Sequence, residues 1–278
     1  QAMMIYFLTQ SIGSVTLLFS ILMNSLIFVN PMMINETAKT MILIGLMIKT
    51  GVAPFHFWFP EMISNLNWAE CAILMTWQKL APLIMMSNIM PNNKFTYLMI
   101  IMSATVGATG GLNQTSLRKI LAYSSINHLG WMLMFMSMSK MWYKYLIIYS
   151  ILIMLVCYTF NKKNAYFMNQ LITSTPTLAE KYTYTVLIMS LGGLPPFLGF
   201  LPKWMVIQSM INSNLLMLMI IMMLLSLLTL YYYLRMMAPF ILSYSSMNKN
   251  MMIMNKKILF FIWIVNLMLP MFYIMSFF

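Results

Sequence analysis

Residues 49–61 of the chain read Lys-Thr-Gly-Val-Ala-Pro-Phe-His-Phe-Trp-Phe-Pro-Glu and lie within a long apolar run. Glycine and proline together make it difficult for a helix to continue through Gly51 and Pro54. A break of this kind frees backbone groups, and an ionisable side chain such as Lys49 is costly in an apolar environment. The pattern therefore predicts a functional discontinuity inside a membrane-spanning helix.

A second segment with the same pattern extends from Gly193 to Pro202. When the two segments are aligned without gaps, the matching pairs are Gly51 and Gly193, Pro54 and Pro196, Phe55 and Phe197, and Pro60 and Pro202. The lysines do not match, because Lys49 precedes its break and Lys203 follows its own. The repetition favours a shared scaffold more strongly than equivalent roles for the two lysines.

The composition is that of an integral membrane protein. Of the 278 residues, 62% are apolar and 7% are charged, and the mean hydropathy is +0.82. These are too few polar residues to cover the surface of a soluble domain of this size. The apolar runs are long and do not alternate, which favours spanning helices over barrel strands. We therefore predict an all-α polytopic membrane protein.

The apolar runs predict about nine transmembrane helices in a single membrane domain over residues 1–278, with the second and seventh helices broken. Their approximate ranges are 3–29, 38–64, 70–90, 95–111, 118–138, 142–160, 182–212, 213–238 and 257–277. The chain opens on Gln1 rather than on methionine. We expect it to be a fragment that lacks the beginning of a longer protein.

The formal net charge is +12, with 16 basic and 4 acidic residues. Strict alternation of the predicted spans places most loop lysines and arginines on one, matrix-like side. This distribution indicates membrane topology and contact with anionic lipid such as cardiolipin, and it does not indicate a nucleic-acid partner.

Three lysines fall inside the predicted spans. Lys79 is too far from either end of its span to reach the interface comfortably, and Lys49 lies in mid-span just before a break. Lys203 follows a proline and precedes Trp204, so an interfacial anchor is an alternative for it. Lysines distributed along several spans could relay protons, with water filling the gaps at the breaks.

Several other residues are candidates for this proton channel. His56 and His128 titrate near neutral pH and could join the relay, although each could instead be a hydrogen-bonded core histidine. A polar row on the fifth span could conduct water to His128 or simply hold helices together, and consists of Tyr123, Ser124, Ser125 and Asn127. The predicted helix breaks contain Gly51, Pro54, Gly192, Gly193, Pro195 and Pro196.

The sequence has no pattern for a redox or nucleotide site. We find no Walker loop, dinucleotide glycine motif, iron–sulfur cysteine cluster or haem-type pair. Cys71 and Cys157 both lie in apolar runs and are predicted to be inert core thiols. We therefore expect this chain to bind no metal and no cofactor.

Seven stretches together resemble a known family. They are 6–10, 53–58, 76–82, 110–119, 122–128, 191–196 and 199–204, with a weaker match around 231–235. They are similar to the mitochondrial NADH dehydrogenase subunit 2 family, the antiporter-like membrane-arm subunits of respiratory complex I. The methionine-rich composition, with 37 methionines, resembles that of invertebrate members.

The resemblance implies two inverted five-helix repeats, each with a broken helix. Residues 1–90 would be the remainder of the first repeat, 95–238 the second, and 257–277 a C-terminal helix. It also implies a hydrated charge axis containing Lys49, Lys79 and Lys203. The family's axis also contains a glutamate on a helix upstream of the Tyr6–Gln10 motif, which is not in this sequence, and we expect it to precede Gln1.

The activity implied is translocation of protons across the mitochondrial inner membrane, as a subunit of NADH:ubiquinone oxidoreductase. NADH, FMN, iron–sulfur clusters and ubiquinone would be used by other subunits, which are the expected partners. Two alternatives remain. One is an independent cation/proton antiporter of the same fold, which the lack of acids at ion-coordinating depth disfavours. The other is a purely structural membrane subunit, in which changes to the three lysines would alter assembly only.

Overall fold

The computed structural model describes residues 2–26, 31–90, 94–139, 141–174, 177–242 and 255–268. Within these ranges the chain is helical, and the extended pairing is limited to an isolated bridge between Ser116 and Phe167. The helices are α1 (Ala2–Leu26), α2 (Pro31–Thr50), α3 (Trp58–Ser64), α4 (Trp68–Ile89), α5 (Lys94–Gly110), α6 (Leu117–Met138), α7 (Trp142–Lys163), α8 (Met168–Ser174), α9 (Leu178–Gly192), α10 (Phe200–Asn212), α11 (Leu216–Leu242) and α12 (Lys256–Leu267).

One helix starts earlier than predicted, and one short helix was not predicted. Helix α2 begins at Pro31, before the predicted start of the second span, because the fixed φ of proline suits the first position of a helix. Helix α8 lies in a predicted loop, and Gln170 Oε1 accepts hydrogen bonds from the N–H groups of Tyr166 (2.7 Å) and Phe167 (3.1 Å) at its start. The predicted ninth span is helical up to Leu267, and its part beyond Met268 lies outside the described residues.

The surface of the molecule is strongly apolar. Phe7, Trp77 and Met217 are 68%, 73% and 78% exposed, and many other large apolar side chains share this exposure. An apolar surface of this extent requires lipid or neighbouring proteins around it. In the described residues, three segments are long and apolar enough by length and composition to cross a membrane: Ala2–Met23, Trp142–Lys163 and Leu216–Pro239.

Helix α6 lies at the centre of the molecule. Most of its 22 residues are buried, and it packs against α5, α3, α10, α7 and α4. Glycines permit a close approach to α5, because a Cβ on Gly107 would lie 2.7 Å from Asn127 Cβ and one on Gly130 would lie 2.7 Å from Ser103 Oγ. Three residues of the predicted polar row on this helix, Ser124, Ser125 and Asn127, are buried in the interior, and Tyr123 is half-buried.

The chain's two arginines hold the start of α6. Arg235 of α11 donates hydrogen bonds to the backbone oxygens of Leu112 and Gln114, in the connection between α5 and α6. Arg118, in the first turn of α6, donates to Leu66 O at 2.6 Å and lies over the ring of Tyr166 at 4.4 Å. Arg118 thus joins the start of α6 to the turn between α3 and α4, and Arg235 joins the preceding connection to α11.

Candidate functional site

The first helix break starts at Gly51. Helix α2 ends at Thr50, and Gly51 takes a φ of +74°, in the left-handed region that favours glycine. The N–H groups of Gly51 and Val52 both donate to Met47 O, at 2.9 and 3.1 Å, and the N–H of Phe55 donates to Val52 O at 2.9 Å. The chain then enters α3, as the Gly/Pro pattern predicts.

The second break repeats this backbone arrangement. Helix α9 ends at Gly192, and Gly193 takes a φ of +76°. The N–H groups of Gly193 and Leu194 both donate to Met189 O, at 3.1 and 3.4 Å, and the N–H of Phe197 donates to Leu194 O at 3.0 Å. Each bond joins positions that match those of the first break in the ungapped alignment, so the two breaks share a hydrogen-bond pattern.

Lys203 is buried and turns back to its own break. Its side chain is 6% exposed, and its Nζ donates a 2.7 Å hydrogen bond to Gly192 O, a carbonyl at the end of α9. The ammonium also lies 6.0 Å from the ring centroid of Trp131 on α6. This burial disfavours the interfacial-anchor alternative, because an anchor would extend towards the membrane surface.

Lys79 is the most deeply buried of the three lysines. Its side chain is 2% exposed, and among the residues that the structure describes its Nζ has no hydrogen-bond partner. The ammonium lies over the rings of Phe59 and Tyr149, at 5.1 and 5.7 Å from their centroids. Aromatic faces attract a cation, but they do not replace the hydrogen bonds that an ammonium makes in water.

His128 shares aromatic neighbours with the two buried lysines. Its ring is 6% exposed, its Nδ1 is 2.8 Å from Tyr145 Oη, and it is close to the backbone of Leu191 in the last turn of α9. Its ring centroid is 4.9 Å from that of Tyr149, over which Lys79 lies, and Trp131, beside Lys203, is one helical turn further along α6. The structure therefore brings three of the predicted channel residues, from α4, α6 and α10, into one cluster.

The two serines of the polar row line this cluster. Ser124 and Ser125 each donate to the backbone oxygen three residues earlier, at 2.8 and 2.7 Å, and both are buried. Their hydroxyl oxygens remain able to accept, and they lie close to Tyr233 and Tyr149 respectively. In the described part of the chain neither tyrosine hydroxyl makes a hydrogen bond of normal geometry.

The other two members of the row have different surroundings. Asn127 is 2% exposed, and within the described ranges its Oδ1 has no hydrogen-bond partner, although a buried amide oxygen normally has one. Tyr123 is half-buried, and its ring packs against Gly110 of α5. Asn127 thus adds an unpaired acceptor to the interior, whereas Tyr123 serves the packing of α5 on α6.

Lys49 and His56 belong to the first break. Lys49 is half-buried near the end of α2. His56 is 8% exposed, its Nδ1 is 3.2 Å from Pro54 O, and its ring centroid is 4.2 Å from that of Phe57. Both contacts of the histidine are local, so it is placed at the break and not with the cluster around His128.

Sequence reasoning missed the tyrosines of the cluster. Tyr145 and Tyr149 lie four residues apart on one face of α7, and Tyr232 and Tyr233 lie on α11. All four are buried, and in the described part of the chain the hydroxyls of Tyr149, Tyr232 and Tyr233 have no hydrogen-bond partner. The four-residue spacing was the available signal for α7, and the Tyr231–Tyr233 run was the signal for α11.

Sequence reasoning also missed a buried ion pair. Lys163 Nζ and Glu180 Oε2 are 2.9 Å apart, with side chains 6% and 0% exposed, and they join the end of α7 to the start of α9. The predicted loop placement gave no indication of this burial. Cys71 and Cys157 are free, buried thiols at the predicted core positions. Over the described ranges, no group of three or more His, Cys, Asp or Glu side chains could hold a metal ion.

Comparison with known proteins gives consistent matches. Residues 1–229 match the profile of the family described as NADH:quinone oxidoreductase/Mrp antiporter, transmembrane. The chain is 45% identical over 212 residues to NADH-ubiquinone oxidoreductase chain 2 of Locusta migratoria, which covers 76% of this chain and 62% of the relative. It is 46% identical over 215 residues to the protein of the same name from Anopheles gambiae, with the same shares covered.

A solved structure has a similar fold. A chain of respiratory complex I from Thermus thermophilus matches with a TM-score of 0.81 at 20% identity, covering 97% of this chain and 68% of that one. At this identity the likeness concerns the fold alone. The chain spans about three fifths of the length of the curated relatives it matches.

Proposed function

The chain belongs to the NADH:quinone oxidoreductase/Mrp antiporter membrane family, and from that premise we propose that it translocates protons as a membrane-arm subunit of respiratory complex I. In this role it is part of a proton-translocating NADH:ubiquinone reductase in the mitochondrial inner membrane. Other subunits carry out the chemistry of NADH, FMN, iron–sulfur clusters and ubiquinone. Its partners are the other membrane-arm subunits and the lipid bilayer, including anionic lipid such as cardiolipin.

The proposed architecture has about nine spans arranged as two inverted repeats, each with one broken helix. Residues 1–90 form the remainder of the first repeat, 95–238 the second, and 257–277 a C-terminal helix. Support comes from the breaks, in which Gly51 and Gly193 have nearly the same φ and matching backbone hydrogen bonds. Matching φ values and backbone hydrogen bonds in two distant segments are expected when the fold contains an internal repeat.

The observation that carries the proposed function is the buried ammonium of Lys79, which has no hydrogen-bond partner among the described residues and lies near His128 over the ring of Tyr149. A cation in this position is unfavourable unless it gains solvation. An ionisable residue at such a site is therefore a candidate for a functional role. Water entering from the breaks would find acceptors and donors at Ser124, Ser125 and the unpaired tyrosine hydroxyls. Such groups can hold a chain of water molecules along which protons move between the lysines.

The proposed mechanism uses repulsion between like charges. Lys79 lies over Tyr149 beside His128, and Lys203 lies over Trp131 of the same helix α6, so the two ammonium groups repel each other when both are protonated. A proton that arrives at one lysine therefore favours release from the other. Lys203 is held at Gly192 O, so movement of the second break would change its solvation and bias the direction of release. Lys49 and His56 would exchange protons with water at the first break.

The function is tested by replacing Lys79 with methionine in the assembled complex. Lys79→Met keeps the apolar stem but removes the ammonium, so we expect loss of this subunit's share of NADH-driven proton uptake into vesicles, with assembly retained. Lys162→Met is the control, because Lys162 is exposed at the end of α7. Reduced assembly with normal pumping per complex would instead favour the structural alternative, and sodium-dependent proton flux would favour the antiporter.

A further inference from the structure

Helix α1 makes two contacts with Lys49, the lysine at the first break. Gln10 Nε2 donates a hydrogen bond to Lys49 O at 3.2 Å. Gly13 lies further along the same helix, and a Cβ placed on it would lie 2.8 Å from Lys49 Cγ. Carbon atoms in normal contact are about 3.5–4.0 Å apart. The stem of the lysine therefore occupies space that is open only because residue 13 has no side chain.

The hydrogen bond from Gln10 satisfies a carbonyl that the break leaves free. The last carbonyls of a helix have no partner within it, and Lys49 O belongs to the last turn of α2. The preceding carbonyl, Ile48 O, accepts a 3.2 Å hydrogen bond from Trp58 Nε1 of α3. Two consecutive carbonyls are thus held by side chains from two different helices, and Gln10 holds the one that belongs to the lysine itself.

The packing of α1 on α2 fixes the register of these contacts. One turn before Lys49, a Cβ on Gly45 would lie 2.9 Å from Leu17 Cγ of α1. Glycine on each helix therefore faces a larger side chain on the other, with Gly13 against Lys49 and Gly45 against Leu17. Interlocking of this kind resists sliding of the two helices. The position of the Lys49 stem is consequently determined by α1.

We propose that Gln10 and Gly13 are positioning residues for Lys49, with Gln10 fixing its backbone and Gly13 admitting its stem. Together they set where the ammonium lies relative to the first break. The inference rests on the proposed role of Lys49 in proton translocation. It assigns to α1 a part in the channel although neither residue titrates.

The proposal is tested with Gly13→Ala and Gln10→Leu in the assembled complex. The first variant places a methyl group where the lysine stem lies, and the second keeps a similar size but removes the donor. Each is expected to reduce the proton-to-electron ratio as far as Lys49→Met does. Ser14→Ala on the same helix is the control and should leave the ratio unchanged, because within the described ranges the Ser14 hydroxyl donates to Ser11 O of α1, at 2.8 Å, and not to α2. Unchanged ratios in both test variants would overturn the proposal.

A double variant separates positioning from helix packing. Methionine retains the Cγ that faces residue 13, so Gly13→Ala is equally crowded in a Lys49→Met background, where the ammonium is absent. If Gly13 acts through the lysine, it adds no further loss of pumping there. If it serves only packing, the two losses add, and the proposal is wrong. Should Gly13→Ala fail to assemble, Gln10→Leu decides the matter, because it adds no bulk.

Failure of this inference is distinguishable from failure of the proposed function. Normal pumping by Lys49→Met would remove the proposed role of the lysine itself. Deficient pumping by Lys49→Met, with normal ratios in Gln10→Leu and Gly13→Ala, would overturn only the positioning role of α1.

Discussion

Replacing Gly193 with alanine would disturb the second break in two ways. Gly193 has a φ of +76°, and an L-residue in this region costs roughly 1–2 kcal/mol. The new Cβ would also lie 2.9 Å from Lys203 Cδ and 3.0 Å from its Nζ. The lysine side chain must then shift, and we expect the shift to break its 2.7 Å bond to Gly192 O. A hydrogen bond made by a charged group contributes about 1.5–3 kcal/mol, so the total cost is roughly 2.5–5 kcal/mol.

Gly51→Ala is the matched control at the first break. Gly51 has nearly the same φ, +74°, but the nearest atom to its Cβ would be Phe59 Cβ at 3.4 Å, an ordinary contact. This variant should cost only the backbone contribution, roughly 1–2 kcal/mol. The difference between the two variants isolates the displacement of Lys203.

Amide hydrogen exchange in the assembled complex measures the opening of each break separately. The extra 1.5–3 kcal/mol predicts that Gly193→Ala accelerates exchange at the second break roughly ten- to a hundredfold more than Gly51→Ala does at the first. Equal acceleration at the two breaks would refute the reasoning, because the bond between Lys203 and Gly192 would then contribute nothing to the stability of the second break.

Two further predictions concern an ion pair and a set of hydrogen bonds at the helix ends. Glu180→Gln leaves Lys163 buried without its carboxylate, which should cost about 3–5 kcal/mol and lower the amount of assembled complex on native gels. The double variant with Lys163→Met should recover much of that amount, and an unchanged yield in the single variant would contradict the prediction. Arg235→Met removes the donors to Leu112 O and Gln114 O, so amide exchange at the start of α6 should accelerate. Wild-type protection there would show that the arginine does not hold this junction.

The two breaks could be predicted because their chemistry is local. A glycine in the left-handed region followed by proline ends a helix whatever surrounds it, and the structure has Gly51 and Gly193 in this conformation. A long apolar run is also a local property of the sequence, and such runs predicted most of the helices. The helical membrane class is confirmed by the family match. The short helix α8 was not predicted, because its seven residues are too few for an apolar period to identify a helix.

The composition of the buried cluster could be predicted only in part. Lys79 and His128 were candidates because ionisable residues inside spans are unusual. The burial of Lys203 depends on its side chain folding back to a carbonyl eleven residues earlier, and the neighbouring Trp204 was equally consistent with the membrane interface. Tyr145 and Tyr233 come from α7 and α11, so their convergence on α6 is a tertiary property that spacing along one helix does not contain.

The central claim is that the buried cluster around His128 conducts protons. The most direct measurement is the number of protons taken up per NADH oxidised by vesicles containing the Lys79→Met complex, compared with wild type at equal amounts of assembled enzyme. We predict a reduced proton-to-electron ratio in the variant, because the deepest ammonium of the cluster has been removed. A wild-type ratio would contradict the account.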